Sequence, residues 1–264
     1  MDKKELANAV EITAAYYKDH LSDIFNMLYP LSQVLEKTES YEAIKYVKGI
    51  SLSCYQMLRS TFNLYQLFQD DENSVALEDV DLSWLFERVC KAAELLLSSN
   101  DVVFTYEISS EPIITAININ NFISAVMNIL SNSASYTNID KKVHLKLYSS
   151  DGFAVFNISD NGIGMSNEEI SKSFEPFHSD DKNLPFEKSL GIGIPVAHKV
   201  ISSLGGTIMV TSQKSEGSAV TVKIPLKRTG KAMSGLKSSN LNFMSDRFSP
   251  VHIGLANICD LSNL

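Results

Sequence analysis

Asp160-Asn161-Gly162-Ile163-Gly164-Met165 closes a run of alternating residues, Phe153 to Ser159, that reads as a strand. A chain leaving a strand through two glycines in three residues turns tightly and lets another group approach its backbone without an intervening side chain. A carboxylate at the end of a buried strand is placed to accept a proton from an exocyclic amine such as that of adenine. Taken alone, the stretch also fits an ordinary Asx turn, because Asp and Asn favour such positions.

Working outward, Asn128-Ile129-Leu130-Ser131-Asn132 puts two amides one turn apart on an otherwise apolar helix that Asn118 can cap and that runs to Tyr136. Their oxygens suit a hard cation whose shell is completed by phosphates and water, or else satisfy neighbouring loops. Downstream, Leu190-Gly191-Ile192-Gly193-Ile194-Pro195 opens a helix with Val196, Val200 and Leu204 on its apolar side. Free N–H groups and the positive end of a helix suit phosphate oxygens, and Pro195 is tolerated in a first turn.

Order and spacing tie these stretches together. Asn128-x-x-x-Asn132, Asp160-x-Gly162-x-Gly164, Phe174-Glu175-Pro176-Phe177, Gly191-x-Gly193 and Gly217-Ser218 follow one another in the chain. Residues 75–227 thereby resemble the ATPase domain of sensor histidine kinases, whose N, G1, F, G2 and G3 boxes occur in that order. The resemblance implies a Bergerat-type α/β sandwich binding ATP with Mg2+. It places adenine on Asp160 with Gly162, Ile163 and Gly164 around it, and Asn128 and Asn132 at the metal and phosphates. It also puts Leu190, Gly191, Ile192 and Gly193 under the phosphates, with Ser135, Tyr136 and Ser218 lining the site. The stretch from Phe177 to Ser189, holding His178, Lys182 and Lys188, is then a lid, and otherwise a solvated loop. Two positions depart from the pattern: Ser135 stands where a basic residue usually reaches the phosphates, and Ser189 replaces the first G2 glycine. Lys182 or Lys188 is the candidate replacement for the lost charge, which phosphoryl transfer needs.

Ahead of this domain, apolar residues recur from Leu6 to Leu35 in steps of four and three, with Leu21, Ile24, Leu28 and Leu31 among them. After a polar break at residues 36–40 the same spacing returns from Ile44 to Phe68, and a second row at Ile50, Met57 and Leu64 widens it. A helical hairpin with two apolar stripes predicts a homodimeric four-helix bundle, the alternative being packing on the rest of the chain. The hairpin resembles the dimerisation and phosphotransfer domain of the same family, but its H-box is degenerate: Phe25-Asn26-Met27-Leu28-Tyr29-Pro30-Leu31 keeps the proline and leucine and has Phe25 in the place of the phosphoacceptor histidine. Phenylalanine carries no nucleophile, and Asn26 is no carboxylate base. His20 is the nearest substitute acceptor, although five helical residues turn a side chain by about 140°.

The expected fold class is therefore α+β in two domains: an antiparallel helical hairpin, residues 1–71, then an α/β sandwich, residues 72–228, with helices on one sheet face. A tail, residues 229–264, follows, in which Phe248 to Ile253 reads as a short docked strand. The resemblance implies a two-component histidine kinase without its own sensor domain, partnered by a response-regulator receiver domain; the alternative is a degenerate kinase serving as a nucleotide-binding dimeric scaffold. Serine-kinase anti-sigma factors resemble the ATPase half but lack the long hairpin.

Composition narrows the field. Of 264 residues, 44% are hydrophobic and 20% charged, a globular balance, and a net charge of −8 with no basic patch argues against nucleic acid as a partner. Cys54, Cys90 and Cys259 form no metal-binding spacing and read as reduced thiols. No apolar stretch is long enough to span a bilayer, and none follows the N-terminus as a leader would require; the expectation is a cytoplasmic protein.

Overall fold

The computed structural model describes residues 3–38, 40–69, 76–137, 140–178, 190–230, 243, 246, 248–256 and 258. Two long helices come first, α1 (Lys3–Lys37) and α2 (Tyr41–Phe68), packed against each other as a hairpin. Leu21, Phe25 and Leu28 of α1 and Val47, Ser51, Cys54, Tyr55 and Leu58 of α2 are buried. The inward seam therefore runs through Phe25 rather than Ile24. The Phe25 ring sits 4.4 Å from that of Tyr55, and burying a ring removes more apolar surface from water than burying Ile24 would. Ile24, Met27, Leu31 and Val34 are left exposed as a second stripe on α1, as are Tyr46, Ile50 and Met57 on α2.

The remainder alternates strands and helices: β1 (Glu78–Asp81), α3 (Leu82–Ser98), β2 (Val103–Ile108), β3 (Ile114–Ile117), α4 (Ile119–Ser135), β4 (Lys142–Ser150), β5 (Phe153–Asp160), α5 (Asn167–Lys172), α6 (Gly193–Ser203), β6 (Thr207–Gln213) and β7 (Gly217–Pro225). Asp81 and Asn118 cap α3 and α4 by accepting the N–H of Ser83 and Asn121, which satisfies donors the first helical turn leaves open. The main sheet has the order β2-β4-β5-β7-β6, parallel only between β2 and β4.

Its strands alternate as a one-sided sheet must. Val143, Leu145, Leu147, Ala154, Phe156, Ile158, Val220, Val222 and Ile224 are buried on one face, while Lys146, Tyr148 and Met209 are exposed. Phe86 of α3, Phe122 of α4 and Phe156 of β5 meet with ring centroids 5.3 to 6.1 Å apart, tying helices to sheet. The ribbon β1–β3 went unread in the sequence because its strands are four residues long. It holds the chain leaving β7, since Ala116 N donates to Lys227 O and Thr229 N donates to Asp79.

The tail segment docks as a helix, not as a strand. Ser249 accepts the N–H of His252 and Pro250 occupies the first turn of α7 (Pro250–Leu255), a helix-start pairing. Val251, His252, Leu255 and Ala256 are fully buried, and Phe248 meets the Phe25 ring edge-on at 5.6 Å. The tail thus touches α1 as well as α2, α3 and α4. Cys54 and Cys90 are buried free thiols; Cys259 lies outside the described residues. Among the described residues no helix is long and apolar enough to cross a membrane.

Two consequences can be measured. A Cβ on Gly254 would lie 2.4 Å from Met127 Cβ, so Gly254→Ala is expected to destabilise the protein by about 1–3 kcal/mol, read from urea unfolding. The buried His252 ring has Nδ1 2.8 Å from Asp246 O and, among the described residues, no partner for Nε2, and burial holds its pKa below the ordinary value. The folded state then binds fewer protons than the unfolded one in acid, so this contribution is present above about pH 6.5 and lost as pH falls through the lower folded value. His252→Gln is expected to flatten the acid limb of the unfolding midpoint against pH.

Candidate nucleotide site

β5 delivers Asp160 opposite Ser218 of β7. Asp160 Oδ1 accepts the N–H of Gly162 at 2.9 Å and of Ser218 at 3.2 Å, and the Ser133 hydroxyl of α4 also donates to the carboxylate. Burial pushes its pKa up against the pull of these three donors. A carboxylate offers about four acceptor positions, so capacity remains for one further donor.

The two glycines that follow have a structural reason that the sequence reading did not supply. A Cβ on Gly162 would fall 2.1 Å from Tyr136 O, and Gly164, at φ +64°, has Gln213 O where its Cβ would stand. The loop is threaded between the end of α4 and the β6–β7 hairpin, bonded by Ile163 N to Tyr136 O and Ser215 N to Ile163 O. Asn161 is fastened to the backbone of Lys142. Ile163 projects outward, 53% exposed.

α4 carries the site from this end to the next. Ser133 and Tyr136 meet the Asp160 loop, and Asn128, five residues earlier, is about 7 Å up the helix axis. There the Asn128 amide oxygen lies 3.4 Å from where a Cβ on Gly193 would be. Gly193 begins α6 after the buried Ile192, with Gly191 at φ +66° before it. Phe177, also at positive φ and exposed, and Leu190 flank residues 179–189, so Lys182, Lys188 and Ser189 lie outside the described residues. Phe174 of the F box packs edge-on against His198 of α6 at 5.5 Å.

The two amides of α4 differ. Asn132 is half-buried, and among the described residues its amide has no hydrogen-bond partner. Asn128 is 2% exposed and fully engaged by α2. Its Oδ1 accepts from Asn63 Nδ2 at 3.1 Å and Arg59 Nη2 at 3.2 Å, and its Nδ2 donates to Asn63 Oδ1 at 2.9 Å. An amide oxygen has two lone pairs, so Asn128 has none left for a cation while α2 is docked, whereas Asn132 fits the oxygen chemistry magnesium requires. Ser135 turns its hydroxyl back to Ser131 O at 2.8 Å and extends no group across the site.

Arg59, Asn63, Ser131 and Ser133 were not read from the sequence. The signal for the first two was a polar pair one turn apart on α2, on the flank of its apolar seam. Gln66 continues that line, bonded to Asn121 and Ser124, and Lys199 of α6 donates to the Leu67 and Gln69 carbonyls at the end of α2. His20 stands apart: it is exposed on α1, its ring 4.2 Å from that of Tyr16.

Residues 118–228 match the family of histidine kinase-, DNA gyrase B- and HSP90-like ATPases; that span is an ATPase domain of this class. Among curated relatives, the sensor protein CiaH of Streptococcus pneumoniae is 26% identical over 223 residues, covering 82% of this chain and 47% of its own. The sensor protein kinase WalK of Staphylococcus saprophyticus is 25% identical over 175 residues, 64% of this chain and 28% of its own. The chain therefore spans less than half the length of the curated relatives it matches. In fold it is similar to full-length ShkA in complex with AMPPNP, with TM-score 0.64 and 18% identity over 84% of this chain and 46% of that one. It is also similar to the Acinetobacter baumannii histidine kinase AdeS, with TM-score 0.54 and 21% identity over 78% and 97%. The relatives and fold neighbours that this chain resembles are sensor protein kinases and histidine kinases.

The Asn63–Asn128 pair is testable now. Asn63→Ala strands a buried amide, and the expected loss is about 1–3 kcal/mol in urea unfolding, whereas the exposed Asn26→Ala on α1 should change stability by less than about 0.5 kcal/mol.

Proposed function

We propose that the ATPase half binds ATP with magnesium and that the chain acts as a dimeric component of a two-component phosphorelay, with a response-regulator receiver domain as partner. The observation that carries the nucleotide reading is Asp160, a half-buried carboxylate held by Gly162, Ser133 and Ser218 with acceptor capacity to spare. An exocyclic amine is the donor it suits, and a purine ring placed there has Ile163 beside it and α4 leading to Asn132 and the α6 N-terminus. Asn132 would hold magnesium; the bound nucleotide supplies the γ-phosphoryl group. The exposed stripe of Ile24, Met27, Leu31 and Val34, with Tyr46, Ile50 and Met57, supports homodimerisation through the hairpin, since an apolar face of that spacing is costly in water.

Two readings of the phosphoryl chemistry stand. In the first, the exposed His20 accepts the phosphoryl group and passes it to an aspartate of the receiver domain. In the second, the chain binds nucleotide and partner without autophosphorylation, and one observation favours it: Phe25, in the acceptor position, is 4% exposed and enclosed by Tyr55 and Phe248. The domain limits expected from the sequence, 1–71 and 72–228, are consistent with the change from hairpin to sheet after α2.

Incubation with γ-labelled ATP separates the readings. Acid-labile label that disappears in both His20→Ala and Asp160→Asn supports the kinase. Nucleotide bound by the wild type, lost in Asp160→Asn and never transferred supports the regulator. Calorimetry that detects no ATP binding with excess magnesium overturns the nucleotide reading itself.

A further inference from the structure

Arg59 belongs to the hairpin, yet its guanidinium lies on the ATPase helix. Nη1 donates to Ser131 Oγ at 2.9 Å and Nη2 to Asn128 Oδ1 at 3.2 Å. Both acceptors are neutral, and among the described residues no carboxylate pairs with the cation. A guanidinium carries five N–H donors, so several remain after these two bonds that no described residue uses. The group is half-buried, and burial pushes its pKa down to about 10. A desolvated positive charge without a counter-charge is a costly arrangement that an arriving anion relieves.

The surroundings say what kind of anion. Asn128 Oδ1, which Arg59 grips, is also the oxygen nearest to Gly193, at 3.4 Å from its would-be Cβ. Gly193 starts the 11-residue helix α6, whose first N–H groups and dipole are positive at that end. The Arg59 guanidinium and the first turn of α6, from different parts of the chain, thus both lie beside the Asn128 side chain, about 7 Å along α4 from the Asp160 end. Ser135, whose position in the family pattern holds a basic residue, bonds to its own helix and contributes no charge.

We propose that Arg59 is the phosphate-binding cation of the nucleotide site, supplied by the hairpin in place of the basic residue missing at Ser135, and that it selects nucleoside polyphosphates over the bare nucleoside. This rests on the nucleotide reading above. The phosphate chain then bridges the hairpin and the ATPase domain, because Arg59 rides on α2 while α6 and Asp160 belong to the sheet half. Occupancy of the site by a triphosphate strengthens the attachment of α2; occupancy by adenosine does not.

The test is calorimetric titration of the whole chain with ATP, ADP and adenosine, in excess magnesium chloride, for wild type, Arg59→Gln, Arg59→Lys and Gln66→Ala. A charge-assisted hydrogen bond of about 1.5–3 kcal/mol predicts that Arg59→Gln lowers ATP affinity about ten- to hundredfold while adenosine affinity holds. Arg59→Lys restores part of the difference. Gln66→Ala weakens the same docked helix without touching the charge and leaves the ratio of ATP to adenosine affinity at the wild-type value. An unchanged ratio in Arg59→Gln overturns the proposal, as does a Gln66→Ala ratio that falls equally, which would assign the effect to docking. A wild type that binds ATP and adenosine equally also overturns it, leaving the adenine site standing. A wild type that binds none of the three sinks the underlying nucleotide reading.

Discussion

The polar seam between α2 and α4 is the constraint on which the rest of the arrangement depends. Arg59, Asn63 and Gln66 descend one face of α2 against Ser131, Asn128, Ser124 and Asn121 of α4. Asn63, Gln66, Asn128 and Ser131 are all buried. Buried amides are expensive unless paired, so the two helices hold one register, in which each of these groups finds its partner. Apolar side chains at the same positions would tolerate sliding; complementary amides do not.

A seam of this kind differs energetically from a hydrophobic core. Each hydrogen bond between the neutral groups contributes only about 0.5–1.5 kcal/mol net, because the same groups bond to water when the helices part. The hairpin is thus fixed in geometry without being welded to the ATPase domain. Apolar closure comes instead from the tail: α7 lies against α2, α3 and α4, with Gly254 allowing backbone to approach Met127. Phe248 extends that cover to Phe25.

The same geometry separates the two amides on α4. Asn128 is held by the hairpin through Asn63 and Arg59, while Asn132, one turn further on, is bonded by none of the described side chains. One helix thereby reports on both neighbours: its Ser133 touches the Asp160 carboxylate, and its Asn128 and Ser131 touch Arg59.

Much of this was legible in the sequence. Short-range rules suffice for Asp81 and Asn118 as caps, for the heptad spacing of the hairpin, and for the strand that ends in Asp160, because each depends on residues a few positions apart. The order of the glycine and asparagine stretches pointed to the ATPase domain for the same reason. What the sequence could not decide was which face each stripe presents and what each polar group touches. Phe25 and Ile24 are adjacent and both apolar; only the ring of Tyr55, thirty residues away in the chain, selects Phe25 for the interior. Gly162 reads as room for a ligand, and the structure puts the carbonyl of Tyr136 there. Phe248 to Ile253 reads as a strand until α4 and its neighbours offer a groove that a helix fills. Asn128 reads as a metal ligand until α2 arrives with Arg59 and Asn63. Local pattern determines the elements, whereas partners distant in sequence determine the orientation of side chains, since hydrogen bonds and ring contacts are satisfied only by what folding brings within reach.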